Sequence, residues 1–592
     1  MLLFLLACSG SPEPPRPPDL VLVTWDTVRA DHLNERLTPW AHARGQEGKV
    51  FTQARTTAPL TLPAHASMLT GLYPHEHGAR ANAGFPFRGF TLADELSAAG
   101  YATGAFVSSA VLDEVQGLAS GFQVYDDEVG GASSRYYGER PGEQTVQAAL
   151  AWAAQQDPQQ PLFLWVHLFD AHAPLSLSPE QVAPWGTGYA AEVHQVDVAT
   201  ERLHSGLQAR DRPAFWVLTS DHGESLGEHG EFTHGFYAYD STLHVPLIIW
   251  GEGVTPGLVD EPVSVVDLAP TLRGAAGQPT QQSSGIDLAV VLSGLGVPPK
   301  RPLLFESVDP ALSYGTRPLF GHLSRGETWI DHERYALASD PQQLQDLTSH
   351  EREAPRAWPP EQGELGGASL AQLQALGYVG GQDHGSDRSP HEAQRLMQLE
   401  QTGSAGHSPG QALAIVREIV AEQGHSAASL NLEVELLKAL GRTEEALQLA
   451  GEHEELAGQR SSLSQELARA RMLEEAIRAS LEEQPDQAVA HADLAQVLWT
   501  LGRLDQARMH LERALELGDE ASRGQLVTLL VVLEQPAQAL ALIEGRQDPD
   551  SRCRAGRLGL LLDQERPQDL AQCTLVGLSV GPRGMEILQG NP

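Results

Sequence analysis

Past its first eighteen residues the chain runs through an unbroken apolar stretch, Leu20-Val-Leu-Val-Thr-Trp25, that stops at Asp26. A second stretch of the same kind, Pro213-Ala-Phe-Trp-Val-Leu-Thr-Ser220, stops at Asp221 and His222. Short apolar runs without polar alternation suit strands covered on both faces, so the pattern predicts an α/β fold with a parallel sheet and helices on either side. Both acidic residues then fall at the carboxyl edge, where open α/β sheets bind their ligands. Between them, Thr61-Leu-Pro-Ala-His-Ala-Ser-Met-Leu-Thr-Gly71 reads as a helix that Pro63 can begin and Gly71 can end. After about residue 410 the chain turns rich in Ala, Leu, Glu and Gln. Alanines recur there at Ala412, Ala446, Ala476, Ala507 and Ala539, in steps of 34, 30, 31 and 32 residues, a period of stacked helical hairpins.

A length of 592 residues is too great for one core. The reading divides it into a signal and Pro-rich spacer over 1–18, a catalytic unit over 19–380 with a small α+β subdomain over about 300–380, a Gly-rich linker over 381–410, and helical repeats over 411–592. Net charge is −37, from 77 acidic and 40 basic residues, which argues against a nonspecific grip on nucleic acid. The apolar start before Cys8 is too short to span a bilayer. Leu5-Leu-Ala-Cys8 resembles a bacterial lipobox, which implies lipidation of Cys8 and a place in the bacterial cell envelope. The protein would be held to the membrane by that lipid alone, facing the periplasm or the outside. Cys553 and Cys573 are read either as a disulfide or as two buried thiols.

The helix at Thr61 presents a hydroxyl at its mouth, which either caps the helix or attacks a tetrahedral oxyanion ester bound there. Asp26, Asp221 and His222 either cap strands at a solvated rim or hold a divalent cation that touches the Thr61 oxygen and acidifies it. Arg29 is expected to fix the Asp26 loop through a salt bridge, and His75 and His77 to form turns.

Together the three segments resemble the sulfatase family of the alkaline-phosphatase-like superfamily. Thr61-Leu-Pro63 falls on the family's nucleophile motif, Ser67-Met-Leu-Thr-Gly71 on the end of the helix that follows, and Asp26, Asp221 and His222 on metal ligands. His167-Leu-Phe-Asp170-Ala-His172-Ala-Pro174 looks like its substrate segment, and His234-Gly235 with His244-Val-Pro-Leu247 like its late active-site loop. The resemblance implies Thr61 as nucleophile, His172 and His234 as proton donors, and His65 and His167 as substrate-binding residues. It also implies one divalent metal ion, whether Ca, Mn, Zn or Mg, on Asp26, Thr61, Asp221 and His222.

Two departures change the expected chemistry. Typical members oxidise cysteine or serine to formylglycine, which threonine cannot become, so no formylglycine is expected at Thr61 and an ordinary threonyl ester takes its place. His65 stands where many members carry arginine, and Thr27 where many carry a second aspartate, so one ligand is expected to be missing. The implied activity is metal-dependent hydrolysis of a sulfate, phosphate or phosphonate ester. Transfer of a phospho-headgroup and a pseudoenzyme are the alternatives. The segment Leu494–Ala514 is similar to a tetratricopeptide repeat, which implies a protein partner or a solenoid that packs on the catalytic unit.

Overall fold

The computed structural model describes residues 16–82, 84–129, 139–173, 175–348, 388–401, 407–562, 564, 566 and 568–569. Its strands, in chain order, are β1 (Asp19–Trp25), β2 (Lys49–Phe51), β3 (Ala54–Arg55), β4 (Ala102–Phe106), β5 (Val124–Asp126), β6 (Leu162–Leu168) and β7 (Ala214–Ser220). There follow β8 (Leu247–Gly251), β9 (Gly257–Val259), β10 (Val263–Ser264), β11 (Leu303–Ser307), β12 (Leu319–Ser324), β13 (Glu327–Ile330) and β14 (Glu333–Ala336). Eight of them make one sheet in the order β5-β4-β6-β1-β7-β8-β2-β9. From β5 to β7 the neighbours are parallel, and β8 runs against both β7 and β2.

The central strand β1 is buried along its whole length. Its alternate side chains enter different cores, as a two-residue period requires. Leu20 and Leu22 pack with Leu62, Met68 and Leu268 on one face, and Val21, Val23 and Trp25 with Val146, Val193 and Leu203 on the other. Each such side chain contributes about 1.5–3 kcal/mol by leaving water. Helices therefore cover both faces, among them Thr61–Thr70 and Leu268–Ala275 on one and Gly142–Ala153 and Gly188–Leu207 on the other.

Parallel register then brings the strand ends together. Trp25 lies opposite Leu168 of β6 and Ser220 of β7. The ladder continues one residue further: Asp26 N–H donates to Leu168 O at 2.8 Å and Asp221 N–H to Trp25 O at 3.1 Å. Strands β11 to β14 form a separate antiparallel sheet within the stretch expected as the small subdomain. A buried ion pair, Arg80 to Glu306 at 2.6 and 3.0 Å, ties β11 to the segment that follows the Thr61 helix.

Beyond residue 407 the described chain is helical, from Pro409–Gln423 to Pro549–Leu561, and successive helices pack on one another. Ala412, Ala446, Ala507 and Ala539 are completely buried between them. Ala476 departs from the expected register and is exposed. It lies in the uninterrupted helix Ala457–Glu483, which buries Leu463, Leu467 and Ala470 in its first half instead.

The expected linker over 381–410 needs correction. Residues 388–401 carry a 3-10 turn, Pro390–Ala393, and a helix, Gln394–Gln401. Leu396, Met397 and Leu399 are buried in one core with Phe236, Tyr237 and Tyr239, so apolar residues at helical spacing outweigh the glycines and serines around them. Cys553 is buried and disulfide-bonded. Cys573, Cys8 and the lipobox-like stretch lie outside the described residues. Among the described residues no helix is long and apolar enough to cross a membrane.

Candidate active site

Thr61 is the first residue of its helix, and Leu60 holds the capping position without a side-chain bond. The capping alternative therefore falls: the Leu62 N–H is taken by Asn82 Oδ1 at 2.9 Å, from a different segment. The Thr61 hydroxyl points instead across the sheet edge, 3.5 Å from Asp26 Oδ2 and 3.4 Å from His222 Nε2. At the other end Gly71 adopts φ 76° and donates its N–H to Ser67 O, a left-handed stop that a side chain would strain.

Asp26, Asp221 and His222 are completely buried, and one ligand atom from each lies within 4.8 Å of the others. His65, His167 and Asp221 form a second such group around the same carboxylate. Burial raises the pKa of Asp26, against the pull of His172 and His222. It raises that of Asp221 too, and the neighbouring Asp26 charge adds to the effect. His222 is raised as well: burial opposes its charged form, but the two carboxylates beside it prevail. The other imidazoles are held neutral, by burial above all: His65 down to about 3, His167 and His172 to about 4, and His234 well below its ordinary range.

Three buried atoms in this cluster, Asp26 Oδ1, Asp221 Oδ2 and His167 Nδ1, make no hydrogen bond among the described residues. Buried carboxylate oxygens without donors are costly, and a divalent cation is the group that compensates two at once. Two carboxylates, an imidazole and a hydroxyl form a donor set of the right kind. The residues present therefore fit a bound cation.

The turn after Asp26 is held open by neighbouring elements. Thr27 has φ 60°, rare for a β-branched residue, and its hydroxyl donates to Asp26 O at 2.7 Å. That hydroxyl is turned into the backbone. Tyr189 OH donates to Thr27 O at 2.7 Å, Val28 N–H to Ser220 Oγ at 3.0 Å and Thr27 N–H to Asp221 Oδ1 at 3.2 Å. Arg29 pairs with Asp31 and with Glu228 at 2.7 Å and also donates to Glu224 O, so it fixes the Asp26 loop as expected and joins it to the segment beyond His222.

The remaining histidines divide into two sets. His167 reaches Asp26 Oδ2 through Nε2 at 3.2 Å. His172 and His234 sit edge to face with centroids 5.1 Å apart, and the His234 ring is 4.4 Å from that of His222, so both expected proton donors come to the cluster. His65, which also borders the Asp221 carboxylate, has both nitrogens engaged: its Nδ1 is 2.8 Å from Thr61 O and its Nε2 2.9 Å from Thr24 Oγ1. These contacts brace the first helical turn beneath Thr61. His75 and His77 lie in a short helix, Pro74–His77, in place of the expected turns; His77 bonds Ser67 Oγ, and His244 bonds Thr52 O, outside the cluster.

One residue of the site escaped sequence reasoning. Glu224 is buried, pushed up to about 8 by burial, and bonded at 3.1 Å to His234 Nδ1. Its signal was its position two residues after His222, in a loop that the strand must release at the ligand-binding edge. Asn82 and Thr24 carried no comparable signal, because only the tertiary contact gives them a role.

This arrangement can be set beside known proteins. Residues 18–278 match the sulfatase family. The sulfatase-matching segment thus contains Asp26, Thr61, Asp221, His222 and His234. Relatives include the extracellular sulfatase SULF-1 homolog of Drosophila melanogaster, 27% identical over 310 residues, covering 40% of this chain and 27% of that protein. Arylsulfatase K of Xenopus laevis is 41% identical over 91 residues, 15% of this chain and 16% of that protein. The N-acetylgalactosamine-6-sulfatase of Canis lupus familiaris is 26% identical over 390 residues, 53% of this chain and 73% of that protein. The chain thus spans about a quarter or less of the length of the first two of these relatives. Among solved structures, the phosphonate monoester hydrolase of Agrobacterium radiobacter aligns at 20% identity and TM-score 0.47, over 61% of this chain and 94% of that one.

Proposed function

We propose that this protein is a metal-dependent hydrolase that cleaves a sulfate, phosphate or phosphonate ester through a covalent threonyl intermediate at Thr61. The observation that carries the reading is the placement of the Thr61 hydroxyl, at a helix start and within 3.5 Å of both Asp26 and His222, beside carboxylate oxygens that lack donors. Asp26, Asp221 and His222 would hold the cation. When bound, it supplies the positive charge that acidifies the nucleophile and offsets charge on the ester oxygens.

The Thr61 oxygen attacks the central phosphorus or sulfur, forming one oxygen bond as the bond to the leaving alcohol breaks. The hydroxyl proton that Thr61 loses is taken up by His234 or His172, each neutral in the free protein, and passed to the departing alcohol oxygen. In the second step the same imidazole takes a proton from the attacking water and returns it to the Thr61 oxygen as the threonyl ester breaks. Glu224, bonded to His234 Nδ1, sets the orientation of that ring. A threonyl ester resolves by displacement and not by the elimination open to an aldehyde hydrate, so phosphoryl and phosphonyl esters suit this nucleophile better than sulfuryl ones.

The test is to assay aryl sulfate, phosphate monoester, phosphodiester and phosphonate side by side with Mn, Ca, Zn or Mg, for the full chain and for Thr61→Ala. Mass spectrometry of the stalled protein is expected to find the added group on Thr61. Undiminished turnover by Thr61→Ala overturns the assignment. We further propose that the helical region is of the tetratricopeptide type and that the protein is tethered through Cys8. Retention of a labelled lipid on Cys8 tests the second.

A further inference from the structure

The loop that bears His234 is closed from outside by the helix Gln394–Gln401, which lies beyond the sulfatase-matching segment. Gln394 donates through Nε2 to His229 O at 3.0 Å, and Gln398 to Gly230 O at 3.1 Å. These two carbonyls belong to consecutive residues in the left-handed region, His229 at φ 54° and Gly230 at φ 76°. That conformation is costly for histidine and needs outside support to persist. The approach is close: a Cβ at position 230 would lie 2.4 Å from Gln398 Nε2 and 2.5 Å from Gln394 Nε2, so a side chain there would displace both amides.

From Gly230 the support runs inward through a short path. The buried Glu231 carboxylate accepts the Phe236 N–H at 2.9 Å, Ser225 N–H donates to Thr233 O at 2.8 Å, and His234 Nδ1 meets Glu224 at 3.1 Å. Around the amides, His229 stacks on Tyr239 with centroids 3.6 Å apart, and Tyr237 OH meets His391 Nδ1 at 3.2 Å. Phe236, Tyr237 and Tyr239 share one apolar core with Leu396 and Met397 of the same helix and with Leu413 and Val416 of the next.

We infer that Gln394 and Gln398 are positioning residues for the catalytic loop: the first helix of the C-terminal array fixes residues 228–231 and, through them, the place of His234. The inference rests on the hydrolase reading for its consequence in turnover, but not for its structural content. The sulfatase-matching segment is then incomplete without residues beyond 390, and the array is part of the working site.

The experiment uses the full chain with Gln394→Met and Gln398→Met together, which keep side-chain length and remove both donors. Amide hydrogen exchange across 226–236 is expected to quicken about tenfold while the helices at 504–532 are unchanged, because loss of a local closure opens only what it closed. Exchange that stays the same overturns the inference, whatever the activity. On an ester probe that the wild type turns over, kcat is expected to fall about tenfold with KM within about twofold, the pattern of an interaction that matters in the transition state. Gln394→Lys with Gln398→Lys, which restore N–H donors, are expected to recover it. Unchanged kcat, or failure of the lysine pair to recover it, overturns the positioning role. If the double variant unfolds, Gln394→Met alone is read by exchange with the same two outcomes.

Discussion

The carboxyl edge of the sheet and the distal helical array deal with polar groups in opposite ways. At the edge, Asp26 and Asp221 are wholly buried beside His222, whose pKa they raise, and among the described residues an oxygen of each lacks a donor. In the array, charged groups such as Arg513 with Asp486 and Arg471 with Glu444 pair on the surface, over a core of Leu494, Leu498, Leu511, Leu526 and Leu530. Burying an uncompensated charge costs far more than an exposed pair returns. A fold accepts the first only where something is gained from it, so the edge reads as a site and the distal array as a scaffold.

The sharpest way to break that contrast is Thr61→Ala, expected to lower ester turnover by about 10⁴-fold or more while leaving the melting temperature near that of the wild type, as read by single-turnover kinetics and calorimetry. Next in size, Leu511→Ala is expected to destabilise the array by about 2–5 kcal/mol through an apolar cavity, with ester turnover unchanged. Denaturant unfolding followed by hydrogen exchange checks it, and lost turnover would join regions that the comparison separates. Metal removal comes third. A cation at 100 times its dissociation constant stabilises the folded state by about 2.7 kcal/mol, so chelation is expected to lower the melting temperature of the wild type and not that of Asp26→Ala with Asp221→Ala. The smallest effect belongs to Glu474→Gln, where loss of the pairs to Arg478 and Arg503 at 2.9 and 2.6 Å is expected to cost under about 1 kcal/mol, and less in high salt.

Between the two regions stands the helix Gln394–Gln401, which shares a core with Phe236, Tyr237 and Tyr239 and with the first helices of the array. The scaffold reading thus applies to the distal helices around Leu511, whereas the first helices contact the loop of His234. The expected linker hid this, because glycine and serine flanks dominate the local composition while the contacts of Leu396 and Met397 are made far away in sequence. The same limit explains Ala476. A period of about 32 residues identifies the hairpins but not a helix of 27 residues that runs through one of the turns.

The amino-acid sequence by itself determined the strands that end at Asp26 and Asp221, the helix from Thr61 to Gly71 and the helical character beyond residue 410, because hydrophobic periodicity and stop signals act within a few residues. It also determined which side chains were chemically suited to the site. Tertiary structure alone decided that Thr61 faces Asp26 and His222 and caps nothing, that His65 supports the helix from below, that Glu224 joins His234, and that two glutamines beyond residue 390 hold the loop. Each of these depends on a contact between distant segments, and the parallel register of β6, β1 and β7 is what brings the segments to one edge.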